Sequence, residues 1–166
     1  MKIGKLEINL DELQEFIVEA GKNGYAGNGE QTRMQDGSKS YAFHKGDFHY
    51  TDNYAGSYQA PGSEIVRWQR EDGQRIWQMS YSGGMLPEFW NNEELSTKTF
   101  IFLKEALLQS NSKYPFRGPE KFDKENFRYW MSMEGDIKRF SGKEFIQLYD
   151  HVIFSQDFIG GLVILK

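Results

Sequence analysis

The sequence predicts an α+β fold, two tandem helix–β4 units forming a strongly bent, mainly antiparallel sheet packed on two helices, in a single domain over residues 1–166. Three observations carry this. Two segments space apolar residues at helical intervals, and each is followed by runs that alternate apolar and polar residues between turn dipeptides. The third is a repeated phrase. "IWQMSYSGGML" (76–86) and "IFSQDFIGGLV" (153–163) each alternate and then break on two glycines, with a bulky residue two before the first.

A chain of 166 residues is long enough to bury roughly 70% of its unfolded surface in one core. It has no cysteine, which excludes a disulfide framework, a thiolate nucleophile and a Cys-based metal site. Lysines and arginines number 20 against 24 acids, scattered rather than clustered, so direct nucleic-acid binding is not expected. "MKIGKLEINLDEL" holds no apolar run long enough for a signal peptide and no stretch approaches a membrane span, so a cytoplasmic protein without membrane contact is expected. Aromatic residues at 16%, with 17 glycines and 4 prolines, fit a turn-rich sheet protein.

Asn9 followed by Glu12 reads as a capping box for an amphipathic helix over 10–22, with Leu13, Phe16, Ile17 and Ala20 on one face and "GKNG" as its stop. "SYAFHKGDFHYTDNY" (40–54) reads as a hairpin around a Lys45-Gly46 turn, with Phe48, Tyr50 and Tyr54 sharing a face. In "EIVRWQREDGQRIWQMSY" (64–81) a two-residue Asp72-Gly73 turn sets Trp68 opposite Trp77, Val66 opposite Met79 and Glu64 opposite Tyr81. "STKTFIFLKEALLQS" (96–110) is apolar most of the way around, which predicts a helix buried between layers.

After "KYPFRGPEKF" come two further hairpins, with turns at Gly135-Asp136 and Asp150-His151. A three-residue turn in the last one sets Leu148 opposite Phe154, Ile146 opposite Gln156 and Glu144 opposite Phe158. Adding 89 carries Tyr25 to Tyr114, Gly29 to Gly118, Gly46 to Gly135 and Asp47 to Asp136. The expectation is an internal repeat over about 10–86 and 97–163.

"YAGNG" (25–29), "GDFHYTDNYAG" (46–56), "WQMSYSGGML" (77–86), "FLKEAL" (102–107), "PFRGPE" (115–120) and the closing "GG" together resemble a bacterial family catalogued as domain of unknown function 5680. Members of that family often follow a helix-turn-helix repressor module. The resemblance covers about residues 13–163 and carries no catalytic residues to transfer. No helix-turn-helix is read before residue 10, a departure from the fused architecture that leaves a link to transcription open for this stretch of chain.

Several polar residues sit oddly. Asp52 is in register with Tyr50 and Tyr54 on a face that otherwise reads as core, where an ionised carboxylate needs partners. It reads either as a turn residue at a wet sheet edge or as an acid or ligand contact in an aromatic pocket. Glu64 shares the face of Val66, Trp68, Trp77 and Met79, within reach of the Tyr81 hydroxyl, or else curls into solvent from a strand end. Arg117, between two prolines, reads as a loop clamp or as a bidentate partner for Glu64, Asp52 or a ligand anion. The three are expected to meet at one mouth lined by Tyr25, Tyr50 and Trp77.

His44, Asp47 and His49 share a polar face, but a diagonal spacing of about 7–8 Å is long for common ligation. No metal and no cofactor is expected. Gly27 and Gly29 lack the lysine and the βαβ context of a phosphate loop and read as turn glycines. Three function classes remain: a non-catalytic small-ligand-binding or sensory module, a small hydrolase or lyase using Asp52 and Glu64 as an acid/base pair, and a protein-interaction domain associated with transcriptional regulators. Oligomeric state is not legible.

Overall fold

A computed structural model describes residues 1–3, 6–27 and 29–165; Asn28, within "YAGNG", lies outside them. Strands β1 (Lys2–Ile3) and β2 (Leu6–Glu7) form a small antiparallel pair ahead of helix α1 (Leu10–Asn23). Then follow β3 (Thr32–Arg33), β4 (Lys39–Lys45), β5 (Phe48–Tyr54), β6 (Gly62–Trp68) and β7 (Arg75–Met85). A short 3₁₀ turn at Pro87–Phe89 leads to α2 (Glu93–Leu107), and β8 (Lys121–Lys124), β9 (Phe127–Asp136), β10 (Arg139–Leu148) and β11 (His151–Leu162) complete the chain. Among the described residues no helix is long and apolar enough to cross a membrane.

Nine of these strands form one antiparallel sheet in the order β3-β4-β5-β6-β7-β11-β10-β9-β8. That order runs up through the first half of the chain and back down through the second, so within the sheet the halves pair along the β7:β11 seam. Both Gly-Gly pairs lie in it. Gly83 pairs with Gln156, and Gly160 with Met79. A Cβ on either glycine would run into the facing strand, and Gly83, Gly84 and Gly161 hold positive φ of 149°, 151° and 152°. The repeated phrase is therefore the chemistry of a close seam.

Each helix lays one stripe on the inner face of the sheet. Asn9 caps α1 by accepting from the Asp11 amide, while its side-chain amide donates to Glu12 Oε1 at 3.0 Å, so Glu12 braces the cap rather than closing the expected reciprocal box. Phe16 of α1 packs on Phe43 and Phe48, with ring centroids 5.8 and 5.1 Å away. Phe102 of α2 does the same with Phe122 and Phe127, at 5.5 and 5.0 Å. Helix α2 starts earlier than its apolar run because Asn92 caps it at the Leu95 amide. It is not buried all round: Ile101 is 55% exposed.

The hairpin registers differ from expectation. Glu64 pairs with Met79, Val66 with Trp77 and Gly62 with Tyr81, because the loop spans Gln69–Gln74, with Gln69 at φ 63°, and a bulge follows Val66. In the last hairpin a two-residue Tyr149-Asp150 turn and a bulge after Ile146 pair Ile146 with Phe154, Glu144 with Gln156 and Gly142 with Phe158. Both shifts amount to two residues, which preserves every face because side chains alternate. Trp68 thus packs on Phe48 instead of Trp77.

The offset of 89 also fails in the hairpins. Gly46-Asp47 turns between β4 and β5, whereas Gly135 and Asp136 end β9 ahead of an Ile137-Lys138 turn. The positions that match by register are Tyr50 and Tyr129, Asp52 and Met131, Glu64 and Glu144, and Trp77 and Phe154. His44 and His49 are direct cross-strand partners rather than diagonal, and their rings stack at 5.6 Å.

Candidate functional site

The inner face of the first half buries two acids side by side. Alternation along β5 turns Phe48, Tyr50 and Asp52 inward, and alternation along β6 turns Glu64 and Val66 inward, so Asp52 and Glu64 become cross-strand partners at 3% and 6% exposure. Asp52 is thus no edge residue. Tyr81 of β7 donates its hydroxyl to Asp52 Oδ1 at 2.6 Å, and the Tyr50 hydroxyl sits beside the Glu64 carboxyl.

Arg117 arrives from a loop that crosses the inner face. Pro115, Phe116, Arg117 and Gly118 are all buried there, with Phe116 stacked on Phe140 at 3.9 Å. The loop is held by Gly118 N donating to the Tyr129 hydroxyl at 3.3 Å and by Met131 N donating to Glu120 O at 3.1 Å. A Cβ at Gly118 would press on the Tyr129 ring at 2.9 Å, so the close approach requires glycine. From this perch the guanidinium lies 5.3 Å above the Tyr81 ring, with Nη1 3.6 Å from Glu64 Oε1.

Its shorter bonds go elsewhere. Nε and Nη2 both donate to Glu144 Oε1, at 3.1 and 2.6 Å. Glu144 also accepts from Gln156 at 2.9 Å and, through Oε2, from Tyr129 at 2.8 Å. Glu144, Tyr129 and Gln156 were not among the expected site residues. The signal was present in part, since Glu144 occupies the position of Glu64 in the second half, but pairing it with Phe158 left it without a polar neighbour.

Three carboxyls thus surround one guanidinium, and burial makes that surplus count. Burial, followed by the charge of Asp52, pushes Glu64 up to about 8, against the pull of Arg117. Burial also pushes Asp52 up to about 6, opposed by the Tyr81 hydrogen bond and by Arg117. Arg117 stays protonated: burial opposes its charge, but Glu144 more than compensates. At neutral pH the cluster therefore retains a proton, centred on Glu64.

The cluster has almost no free space. Cavities of about 30 and 20 Å³ touch Asp52 and Arg117, enough for a water or two but not for a substrate. Trp77, expected at the mouth, is instead fully buried against the stacked pair of Phe116 and Phe140. Its register partner Val66 and the shifted hairpin account for this placement. Tyr25 does stand at the mouth, half-buried, and lines both small cavities.

The open space lies on the other side of Tyr25. A groove of about 540 Å³ runs between α2, the open end of the β4–β5 hairpin and the 55–60 loop, walled by Tyr25, Tyr54, Tyr58, Phe100, Lys39 and Lys104. The loop wall is fixed along β7, since Met85 N donates to Tyr58 O at 2.7 Å and Ala60 N to Gly83 O at 2.9 Å. Tyr25, Tyr54, Ala60 and Phe100 line the groove and the inner cavity alike, so they form the partition between groove and acids. A wider depression of about 680 Å³ on the opposite sheet face is lined by outward serines, and its Lys143 and Asp157 already pair at 3.3 Å.

No curated protein and no solved structure gives a significant match to the chain. A family match does exist, and it opens at Asp52 and takes in Glu64, Tyr81, Arg117, Tyr129, Glu144 and Gln156, the whole charged cluster. Its model covers residues 52–163, and the chain belongs to the family described as Domain of unknown function (DUF5680).

Proposed function

We propose that the protein is a non-catalytic binding module for a small organic ligand held in the groove beside Tyr25, with the acid cluster of Asp52, Glu64, Tyr50, Tyr81 and Arg117 behind it. The groove carries the reading: at about 540 Å³ it falls in the size range of small-molecule sites, and its tyrosines and phenylalanine offer flat apolar walls with a few polar points. Binding is favoured over turnover because the acids stand behind the partition, where only a water or two fits. Trp77 serves the site from beneath, as the support of Phe116 and hence of the Arg117 loop.

The partition gives the module a means of sensing. Tyr25 touches the groove on one side and the cavities next to Asp52 and Arg117 on the other, so a ligand that moves its ring alters the solvation of the acids. Two-dimensional amide NMR against a panel of small aromatic compounds tests the site. Shifts clustered on Tyr25, Tyr54, Tyr58, Ser96 and Phe100 support it; shifts clustered on Ser80, Ser132 and Lys143 place binding on the opposite face and overturn it.

The two halves are also read as descendants of one helix–β4 unit. The sheet order reverses about the β7:β11 seam, the Phe16 and Phe102 clusters correspond, and both inner hairpins carry a bulge at the same place, after Val66 and after Ile146. Superposing 39–85 on 121–162 tests this, and hairpins of opposite handedness would refute it.

A further inference from the structure

Lys39 and Lys104 face the same groove, each against a tyrosine: Lys104 Nζ lies 4.7 Å from the Tyr25 ring centre and Lys39 Nζ 5.3 Å from that of Tyr54. The two rings themselves meet edge to face at 5.6 Å. The ammonium groups therefore flank one aromatic corner. Among the described residues, the surface lysines at 45, 98, 121, 124 and 143 each lie within 4 Å of a carboxylate; Lys22, Lys39, Lys104, Lys113 and Lys138 are in no such pair, and of these only Lys39 and Lys104 line the groove. Glu93 lines the same groove and makes no ion pair with either lysine.

Resting on the groove reading above, we propose that the ligand is an anion on a flat apolar body: a carboxylate or phosphate seated between Lys39 and Lys104, with its ring against Tyr54 and Phe100. The unliganded arrangement is costly in the way such a ligand relieves. Two like charges share one half-buried site, and burial followed by the charge of Lys39 lowers the proton affinity of Lys104. A bound anion supplies the missing counter-charge to both. Ser57, Ser96 and Thr97 line the same groove and offer hydroxyls to further oxygens of the headgroup. Lysine, as a point charge on a flexible stem, does not choose between carboxylate and phosphate, so the anionic charge and the flat body define the class. The ring beside Ile101, which is 55% exposed, gives that apolar residue a partner.

The test compares 2-naphthoate with its neutral isostere 2-naphthamide, and with inorganic phosphate alone, by amide NMR titration at low salt. The expected result is that naphthoate binds at least about tenfold more tightly than naphthamide, that phosphate alone binds more weakly than naphthoate, and that the advantage over naphthamide disappears in the Lys39→Gln/Lys104→Gln variant. The Lys104 ammonium signal should also titrate at higher pH with naphthoate bound. Equal affinity for naphthoate and naphthamide overturns the anion assignment and leaves the groove standing. Phosphate binding as tightly as naphthoate overturns the flat body. No shift at groove residues from either naphthyl compound overturns the groove itself, and this inference with it.

Discussion

The two halves of the sheet hold a glutamate at the same register position, and they treat it differently. In the second half Glu144 receives two bonds from Arg117 and one each from Tyr129 and Gln156, and its strand neighbour is Met131. In the first half Glu64 has Arg117 at 3.6 Å and Tyr50 beside it, and its strand neighbour is a second acid, Asp52. One slot is a satisfied anchor, the other an acid pair short of cations. The difference shows how two matching register positions can differ in charge balance, one satisfied and the other electrostatically loose, and the loose one has its Asp52 behind the partition of the groove.

Apolar positions should not show this contrast. Trp77 and Phe154 fill matching, fully buried positions, so Trp77→Ala and Phe154→Ala should each cost about 3–5 kcal/mol in urea unfolding. A loss under about 1 kcal/mol at either position would break the correspondence of the halves.

The charged positions should differ sharply. Arg117→Met strands Glu144 without its cation and should cost about 3–5 kcal/mol, whereas Glu64→Gln at neutral pH should cost about 1 kcal/mol or less, because glutamine imitates the protonated acid already present. The pH dependence sharpens this. A carboxyl whose folded value is raised from 4.5 to about 8 binds its proton more tightly in the folded protein, so its contribution is full below 4.5 and is lost as pH climbs towards 8. Wild type should therefore weaken across that window relative to Glu64→Gln. A parallel pair of stability curves would contradict the raised value.

A further comparison imports the second half's chemistry into the first. Asp52→Met alone leaves the Tyr81 hydroxyl buried without its acceptor and should cost about 1–3 kcal/mol. Adding Tyr81→Phe restores the Met131 and Phe158 pattern and removes the repulsion on Glu64, so the double variant should recover most of that loss. A double variant worse than Asp52→Met would show that the halves are not interchangeable at this layer.

Much of the architecture was legible from alternation and helical spacing, because burial on one face imposes those periods directly. Alternation put Asp52, Glu64 and Glu144 in step with the core face, but it did not separate that placement from a turn at a wet sheet edge for Asp52 or a strand end curling into solvent for Glu64. Pairing was not legible, since it depends on loop length and bulges: the six residues from Gln69 to Gln74 and the bulge after Val66 leave no periodic trace. That two-residue slip moved Tyr81 from Glu64 to Asp52, and the matching slip in the last hairpin hid the partnership of Glu144 with Gln156. The convergence of Arg117 on the acids was legible only as proximity. Its preference for Glu144 follows from Tyr129 holding Gly118, a long-range contact no local pattern records. The groove was missed because its walls come from four separate segments.

In the second half the glutamate position is satisfied, while in the first half it holds surplus acid behind the groove. Carboxyl ¹³C NMR titration of Asp52 and Glu64, assigned through Asp52→Asn and Glu64→Gln, tests it most directly. The account predicts that Glu64 titrates near 8 and Asp52 near 6, with Asp52→Asn lowering the Glu64 value by removing its nearest like charge. Both acids titrating in the ordinary carboxylate range of about 4, unmoved by each other's substitution, would contradict it.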